Sequence, residues 1–298
     1  MTQEELILKQ WQEATISNNF LFGKTMEAYP DLCRRLIERI LHVKISRLEY
    51  PEREKVLEER IDCKGVRVDV YVADESNRFF NLEMQISNED DLAKRIRYYQ
   101  GLLDLNNLKR GSRYENLCES YIVFICLFDY FKRGKHVYTF RERCDEDFNL
   151  LLGDGTTKVF LNTEGILNDA DEDIKNFLEY VARGVIADDF IKELDAAVRE
   201  IRSAKKVRLD YVTLELMLRH RIEKAAKQAH EEGRREGRQE GRQEGRREGR
   251  REGRQEGLQE GKLSMVENLL QVKTPIEYIE AATGWSKEKI LQLAEKLK

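Results

Sequence analysis

The side chains best suited to chemistry lie in one stretch, VRVDVYVADESNRFFNLEMQIS, from Val66 to Ser87. Its alternation has period two, as in a strand whose side chains point in turn to opposite faces. Val66, Val68, Val70 and Val72 fall on one face, and Arg67, Asp69 and Tyr71 on the other. In the second half Phe80, Leu82, Met84 and Ile86 share a face, while Asn81, Glu83 and Gln85 take the opposite one. If both apolar faces of a hairpin point into the core, Asp69, Glu83 and Gln85 come together. That pairing requires partner numbers with an even sum, because a slip of one residue turns every side chain over. The connection then holds an odd number of residues, three or five, around Ser76, and a three-residue loop with a bulge suffices. A two-residue loop would set Asp69 opposite Met84 and scatter the group.

Two carboxylates on adjacent strands make a site for a hard cation. Mg²⁺ takes one or two protein carboxylates, keeps several waters, and completes its shell with substrate phosphate. It lowers the pKa of a bound water and neutralises charge that builds on phosphate during displacement. The same alternation also fits a half-exposed hairpin whose outer face is polar because it meets water. Nearby, Arg95, Arg97, Lys109, Arg110 and Arg113 form a basic cluster suited to a DNA backbone, or to a solvated helix end. Tyr98 and Tyr99 could stack on bases, although the spacing of Tyr99 from Ile96 and Leu103 equally suits a core position. Glu27 and Glu38 could add a ligand from earlier helices; Glu38 also suits a solvated face. His42, His136, His220 and His230 have no metal-ligand spacing. Gly153-Asp154-Gly155 is a turn signal, too short for a phosphate loop.

The elements that must position these residues follow from periodicity. Residues 1–43 read as helical, with Leu32, Cys33, Leu36, Ile37, Ile40 and Leu41 on one face. After the hairpin, residues 90–109 return to helix, with Leu92, Ile96, Tyr99 and Leu103 in step. The run YIVFICLF, from Tyr121 to Phe128, reads as a strand buried on both faces. Residues 136–141 and 158–161 are shorter strands, and residues 171–231 are mostly helix. The order predicts a mixed α/β domain over residues 1–230.

Beyond it, Glu-Gly-Arg-Arg/Gln repeats with period four over residues 231–262. That segment carries 9 acids and 10 bases, so it is almost neutral, and it has no apolar residue before Leu258. Helical continuity and Glu-to-Arg pairs at i and i+3 favour a helix. Each glycine opposes it by roughly 1 kcal/mol relative to alanine. We expect a solvated helical rod or a linker, read either as a helix–helix spacer with close glycine contacts or as a tether. Residues 263–298 form a small helical module. Thr274-Pro275 with Glu277 starts one helix, Gly284 ends it, and Ser286 starts the next. The module outlines a helix-turn-helix but lacks Arg or Asn for base edges, so protein interaction or assembly is favoured over DNA readout.

Composition bounds the rest. The chain has 298 residues, 52 Lys plus Arg against 56 Asp plus Glu, and a formal charge of −4, which argues against a uniformly basic binder. Its 41% hydrophobic and 9% aromatic content can supply a core. No apolar run is long enough to span a bilayer, and no secretory leader is visible. Five cysteines without paired spacing read as reduced thiols in the cytoplasm.

Together these stretches carry a family resemblance. Asp69, then Glu83-Met84-Gln85, then Arg95 and Tyr99, then Gly111 and Tyr114 before the apolar strand resemble the PD-(D/E)XK transposase family, the Rpn-type recombination-promoting nucleases. VDVYVAD, FNLEMQIS, RIRYYQGLL and GSRYENLCESYIVFICLF are similar to its core in order and spacing, and NNFLFGKTMEAYPDLCRRLIERIL to its first helices. The resemblance covers residues 15–230, and a Glu-Gly repeat near the end is common in the family. It implies a restriction-endonuclease-like core and metal-dependent hydrolysis of double-stranded DNA. Asp69 and Glu83 then hold Mg²⁺ or Mn²⁺, and Gln85 and Arg95 complete the catalytic set. Arg97, Tyr98, Tyr99, Lys109, Arg110 and Arg113 are the expected DNA contacts. The superfamily pattern has Lys where this chain has Gln85. A Gln can orient water or bond a phosphate oxygen but carries no charge; Lys94 or, in keeping with the family motif, Arg95 would supply it. The expected reading is a DNA endonuclease of recombination, transposition or defence, assembled as a homodimer or homo-oligomer without a membrane. Its rivals are a DNA-binding protein with a decayed site and an interaction protein whose rod and tail carry the function.

Overall fold

The computed structural model describes residues 2–50, 69–88, 91–108 and 111–296. Three helices open the chain: α1 (Gln3–Glu13), α2 (Asn19–Ala28) and α3 (Pro30–Leu41). Local chemistry fixes their ends. Thr2 and Glu5 form a capping box at α1, and Asn18 accepts from the Leu21 N–H at the start of α2. Pro30 opens α3, and His42 closes it in the left-handed region.

A six-stranded sheet follows: β1 (Leu48–Glu49), β2 (Val70–Asp74), β3 (Phe79–Gln85), β4 (Ser120–Cys126), β5 (Val137–Phe140) and β6 (Thr156–Asn162), in spatial order β1-β2-β3-β4-β6-β5. β3, β4 and β6 run parallel in the middle; β1, β2 and β5 are antiparallel to their neighbours. The step from β3 to β4 passes through α4 (Leu92–Asn107), as a parallel pair requires.

Both faces of the sheet are covered. On one, Val70, Val72, Phe80, Leu82, Met84, Val123 and Ile125 join a core with α1, α2, α3, α5 (Glu172–Arg183) and α6 (Asp189–Ser203). On the other, Tyr71, Phe79, Ile122, Phe124 and Phe160 pack under Leu92, Ile96, Tyr99 and Leu103 of α4. The apolar run at β4 is therefore doubly buried, as its composition suggests. The hairpin differs from the half-exposed alternative, because every residue of β2 and β3 is buried. The polar face of β3 does not meet water; it lies on the α4 side of the sheet.

The hairpin loop has the expected parity. The Asp74 N–H bonds to the Arg78 carbonyl, leaving Glu75, Ser76 and Asn77 as the loop, with Asn77 at φ 60°. The Asp74 carboxylate anchors it. It accepts from the N–H groups of Ser76 and Arg78 and from the Arg78 guanidinium at 2.7 Å, and it is inaccessible to solvent. Arg78 also reaches the Lys44 carbonyl. Residues 51–68 lie outside the described residues, and with them the Val66–Val68 half of the expected strand.

The chain divides into two compact units, residues 1–217 and 218–298. The boundary falls inside α7 (Lys205–Gln271), a helix of 67 residues that includes the whole repeat. In the second unit Val266, Ile279 and Ile290 form a small core with α8 (Ile276–Thr283) and α9 (Lys287–Lys296). Pro275 takes the cap of α8, one residue later than the Thr274 cap suggested by the pattern, and Gly284 ends the helix at φ 70°. No helix among the described residues is long and apolar enough to cross a membrane.

Removing Arg78 would leave the buried Asp74 carboxylate without its cation. Arg78→Ala is expected to destabilise the first unit by roughly 3 kcal/mol, read as a lower urea midpoint at unchanged slope.

Candidate active site

The antiparallel register of β2 and β3 pairs Val70 with Leu82 and Tyr71 with Asn81. One step further along the same ladder sets Asp69 beside Glu83. The backbone and carboxyl groups interlock there. The Met84 N–H donates to Asp69 Oδ2 at 2.9 Å, and the Asp69 N–H donates to Glu83 Oε1 at 3.3 Å.

Glu83 is almost completely buried, with 3% of its surface exposed. Its pKa is raised well above the ordinary carboxyl range, first by loss of hydration and then by the charge of Asp69. The Asp69 N–H, the Arg95 charge and the nearby Asn81 amide oppose that rise.

α4 supplies the cation. Arg95 lies near its N-terminal end and donates from Nη1 to Gln85 Oε1 at 3.0 Å and from Nη2 to the Tyr99 hydroxyl at 3.2 Å. Its guanidinium also sits 5.8 Å from the centre of the Tyr99 ring and 5.9 Å from that of Phe124. Tyr99 is itself buried and meets Phe124 edge to face. Burial and the Glu83 charge raise its hydroxyl pKa. The four residues expected as the catalytic set, Asp69, Glu83, Gln85 and Arg95, are thus joined by hydrogen bonds and charge at one end of the β2–β3 ladder.

The other expected residues are placed differently. Tyr99 belongs to the α4 core, whereas Lys94, Arg97 and Tyr98 are on the exposed side of that helix. Arg113 is exposed and pairs with Glu115 at 3.1 Å. Lys109 and Arg110 lie outside the described residues. Glu27 pairs with Lys24, and Glu38 with Arg34 and the Ile45 N–H.

Two residues gain importance from the structure. A Cβ on Gly23 of α2 would lie 2.6 Å from the Asp69 carbonyl oxygen, so glycine permits α2 to approach the strand at the site. Asn81 shares the face of Glu83. Neither atom of its buried amide has a hydrogen-bond partner within bonding geometry, although it is near enough to Glu83 to favour the ionised form. Gly23 is visible in the sequence as a glycine within a helical pattern, where it is unfavourable unless something approaches closely. Asn81 is visible only as one more polar residue in the alternation.

A divalent cation fits this arrangement. Two neighbouring carboxyl groups, one with its charged form disfavoured by burial and repulsion, lack a counter-charge at the same point, and a buried amide lacks a partner. Asp69 and Glu83 would hold the ion, in keeping with the small number of carboxylates that Mg²⁺ requires. Among the described residues no three His, Cys, Asp or Glu side chains gather in a way that could hold a metal. The set therefore suits an ion that retains water and takes substrate oxygens.

The raised pKa has a stability consequence. The folded state binds the Glu83 proton more tightly than the unfolded chain, so this group stabilises the metal-free fold at low pH. That contribution is lost as pH rises from the ordinary carboxyl range through the raised value. Glu83→Gln removes the buried charge and is expected to raise the neutral-pH melting temperature of the metal-free protein by roughly 2–4 °C, with a flatter pH profile. Gly23→Ala should cost about 1–3 kcal/mol by overpacking and weaken divalent-cation binding, both measurable by thermal unfolding with and without Mn²⁺.

Comparison with known proteins gives a family. No curated protein and no solved structure matches the chain. The family model described as PD-(D/E)XK nuclease family transposase matches residues 19–173, more than half of the chain, from the start of α2 to the first turn of α5. The matched segment contains the whole β2–β3 hairpin and α4, and the chain belongs to the PD-(D/E)XK nuclease family of transposases.

Proposed function

We propose that this protein is a divalent-metal-dependent endonuclease acting on double-stranded DNA, with Asp69 and Glu83 as its metal ligands. The observation that carries the reading is the buried Asp69–Glu83 pair, with Arg95 held beside it by Gln85 and Tyr99. Its family, a nuclease family of transposases, makes DNA the natural substrate and a divalent ion the natural cofactor.

Mg²⁺ or Mn²⁺, when bound, supplies Lewis acidity toward a phosphate oxygen and acidifies a coordinated water. The chain's own groups do the rest. Asp69 is held by the Met84 N–H, so one carboxylate oxygen has a fixed direction. Glu83 accepts from the Asp69 N–H and must give up its proton to act as a ligand. Arg95 brings a permanent positive charge to the end of β3, where neutral Gln85 brings none. A guanidinium at that place can bind the anionic phosphate as charge accumulates in displacement. The Gln85 amide, fixed through its oxygen by Arg95, orients groups by hydrogen bonding. Arg97 and Tyr98, on the exposed side of α4, and Arg113 are placed to contact a duplex backbone. This division of labour explains how the site works without the superfamily Lys: the charge comes from α4 and not from β3. The protein would serve recombination, transposition or defence, with the C-terminal part tethering or assembling copies.

A plasmid assay tests the proposal. Cleavage is expected with Mg²⁺ or Mn²⁺, none with EDTA, and none for Asp69→Ala or Glu83→Ala. Arg95→Ala should slow cleavage by about 10²- to 10³-fold. Gln85→Lys should also lower the rate, since it sets a second cation against Arg95. Cleavage that survives both carboxylate substitutions would sink the assignment. Salt-sensitive DNA binding without metal-dependent cleavage would favour a binding protein with a decayed site.

A further inference from the structure

The 67-residue α7 has a face that nothing in the described chain covers. From Gly233 to Gly261 every fourth residue is glycine, and a Cβ built on any of them would meet nothing within 4 Å. Glycine weakens a helix relative to alanine. Repeated at fixed spacing, it brings no compensating contact inside this chain. Two further features share that helix. Upstream of the first glycine, Leu218, Ile222, Ala225 and Ala229 follow one another at spacings of four, three and four, and Gly233 lies four further on. These residues are exposed, Ile222 by 68%. Such spacing makes the apolar seam of a paired helix, and here it runs directly onto the glycine row. The flanks of that row are ordered by charge. From Gly233 to Gly253 each glycine has Glu before it and Arg after it, so one flank is acidic and the other basic.

We propose that α7 is a self-association surface, on which a second copy of this chain lies parallel, seam to seam. The charge order selects both partner and direction. In a parallel pair related by a twofold axis along the helices, the acidic flank of one copy faces the basic flank of the other. In an antiparallel pair, like flanks meet and repel. Glycines in the row let the two backbones approach closely. Because the row advances about 40° per repeat around the helix, the two copies wind about each other in a right-handed sense. The near balance of 9 acids and 10 bases over residues 231–262 fits a self-complementary surface better than a polyanion-binding one.

The test uses the full-length chain in sedimentation equilibrium and a mixing experiment. A flank-exchanged variant replaces the six Glu that precede Gly233 through Gly253 with Arg, and the six Arg that follow them with Glu. Parallel pairing predicts that the wild type dimerises, that the exchanged protein also dimerises, and that tagged exchanged protein does not capture wild type from a mixture. Free mixing of the two, which antiparallel pairing or a dimer contact elsewhere would give, overturns the proposal. So does a monomeric wild type, or association that requires added duplex DNA. A second variant, Leu218→Glu with Ile222→Glu, leaves the repeat intact. It is expected to weaken the dimer at least tenfold at unchanged helicity by circular dichroism, and an unchanged dimer would overturn the proposal independently.

Discussion

Glu83 is a carboxyl group buried in the sheet beside a second carboxyl group, and the rest of the first unit is arranged around that unfavourable neighbourhood. Burial disfavours its charge, and Asp69 disfavours it further. A carboxyl in such surroundings holds its proton or finds a cation. The backbone keeps the two groups from moving apart: each accepts an N–H from the other's strand, and the ladder continues through four paired positions to the loop at Ser76. The hairpin therefore holds the repelling pair in register even without an ion. This is the kind of local strain that a functional site retains at the expense of stability.

α4 resolves two requirements at once. It is the crossover that allows β3 and β4 to run parallel, and its apolar side fills the space above Phe124 and Phe160. The same helix carries Arg95 to the end of β3, where Gln85 and Tyr99 fix it. Packing and electrostatics are coupled through Tyr99, whose ring is core and whose hydroxyl receives the guanidinium. On the opposite face α2 presses against the strand at Asp69, through the gap that Gly23 leaves. The site is thus clamped from both sides of the sheet.

Much of this was legible in the sequence, for definable reasons. The alternation through Asp69 and Glu83 has period two, so the parity of the loop followed from the requirement that both apolar faces reach one core, and the loop of Glu75, Ser76 and Asn77 has that parity. The continuous apolar run at β4 could only be a strand covered twice. What alternation could not show is that the polar face of β3 is buried too. Polar residues at every second position look the same whether they meet water or a helix, and only the tertiary placement of α4 decides. Gly23 illustrates the other limit. A glycine in a helix signals a close approach, but its partner, the Asp69 carbonyl, is 46 positions away in the chain. The orphaned amide of Asn81 has no signal of its own.

The central claim is that the Asp69–Glu83 pair exchanges a proton for a divalent cation. Calorimetric titration of Mn²⁺ into the metal-free protein, in buffers of different ionisation enthalpy at mildly acidic to neutral pH, reads that exchange directly. The account predicts binding accompanied by net proton release, which disappears in Glu83→Gln. Binding without proton release, or proton release that persists in Glu83→Gln, would contradict it.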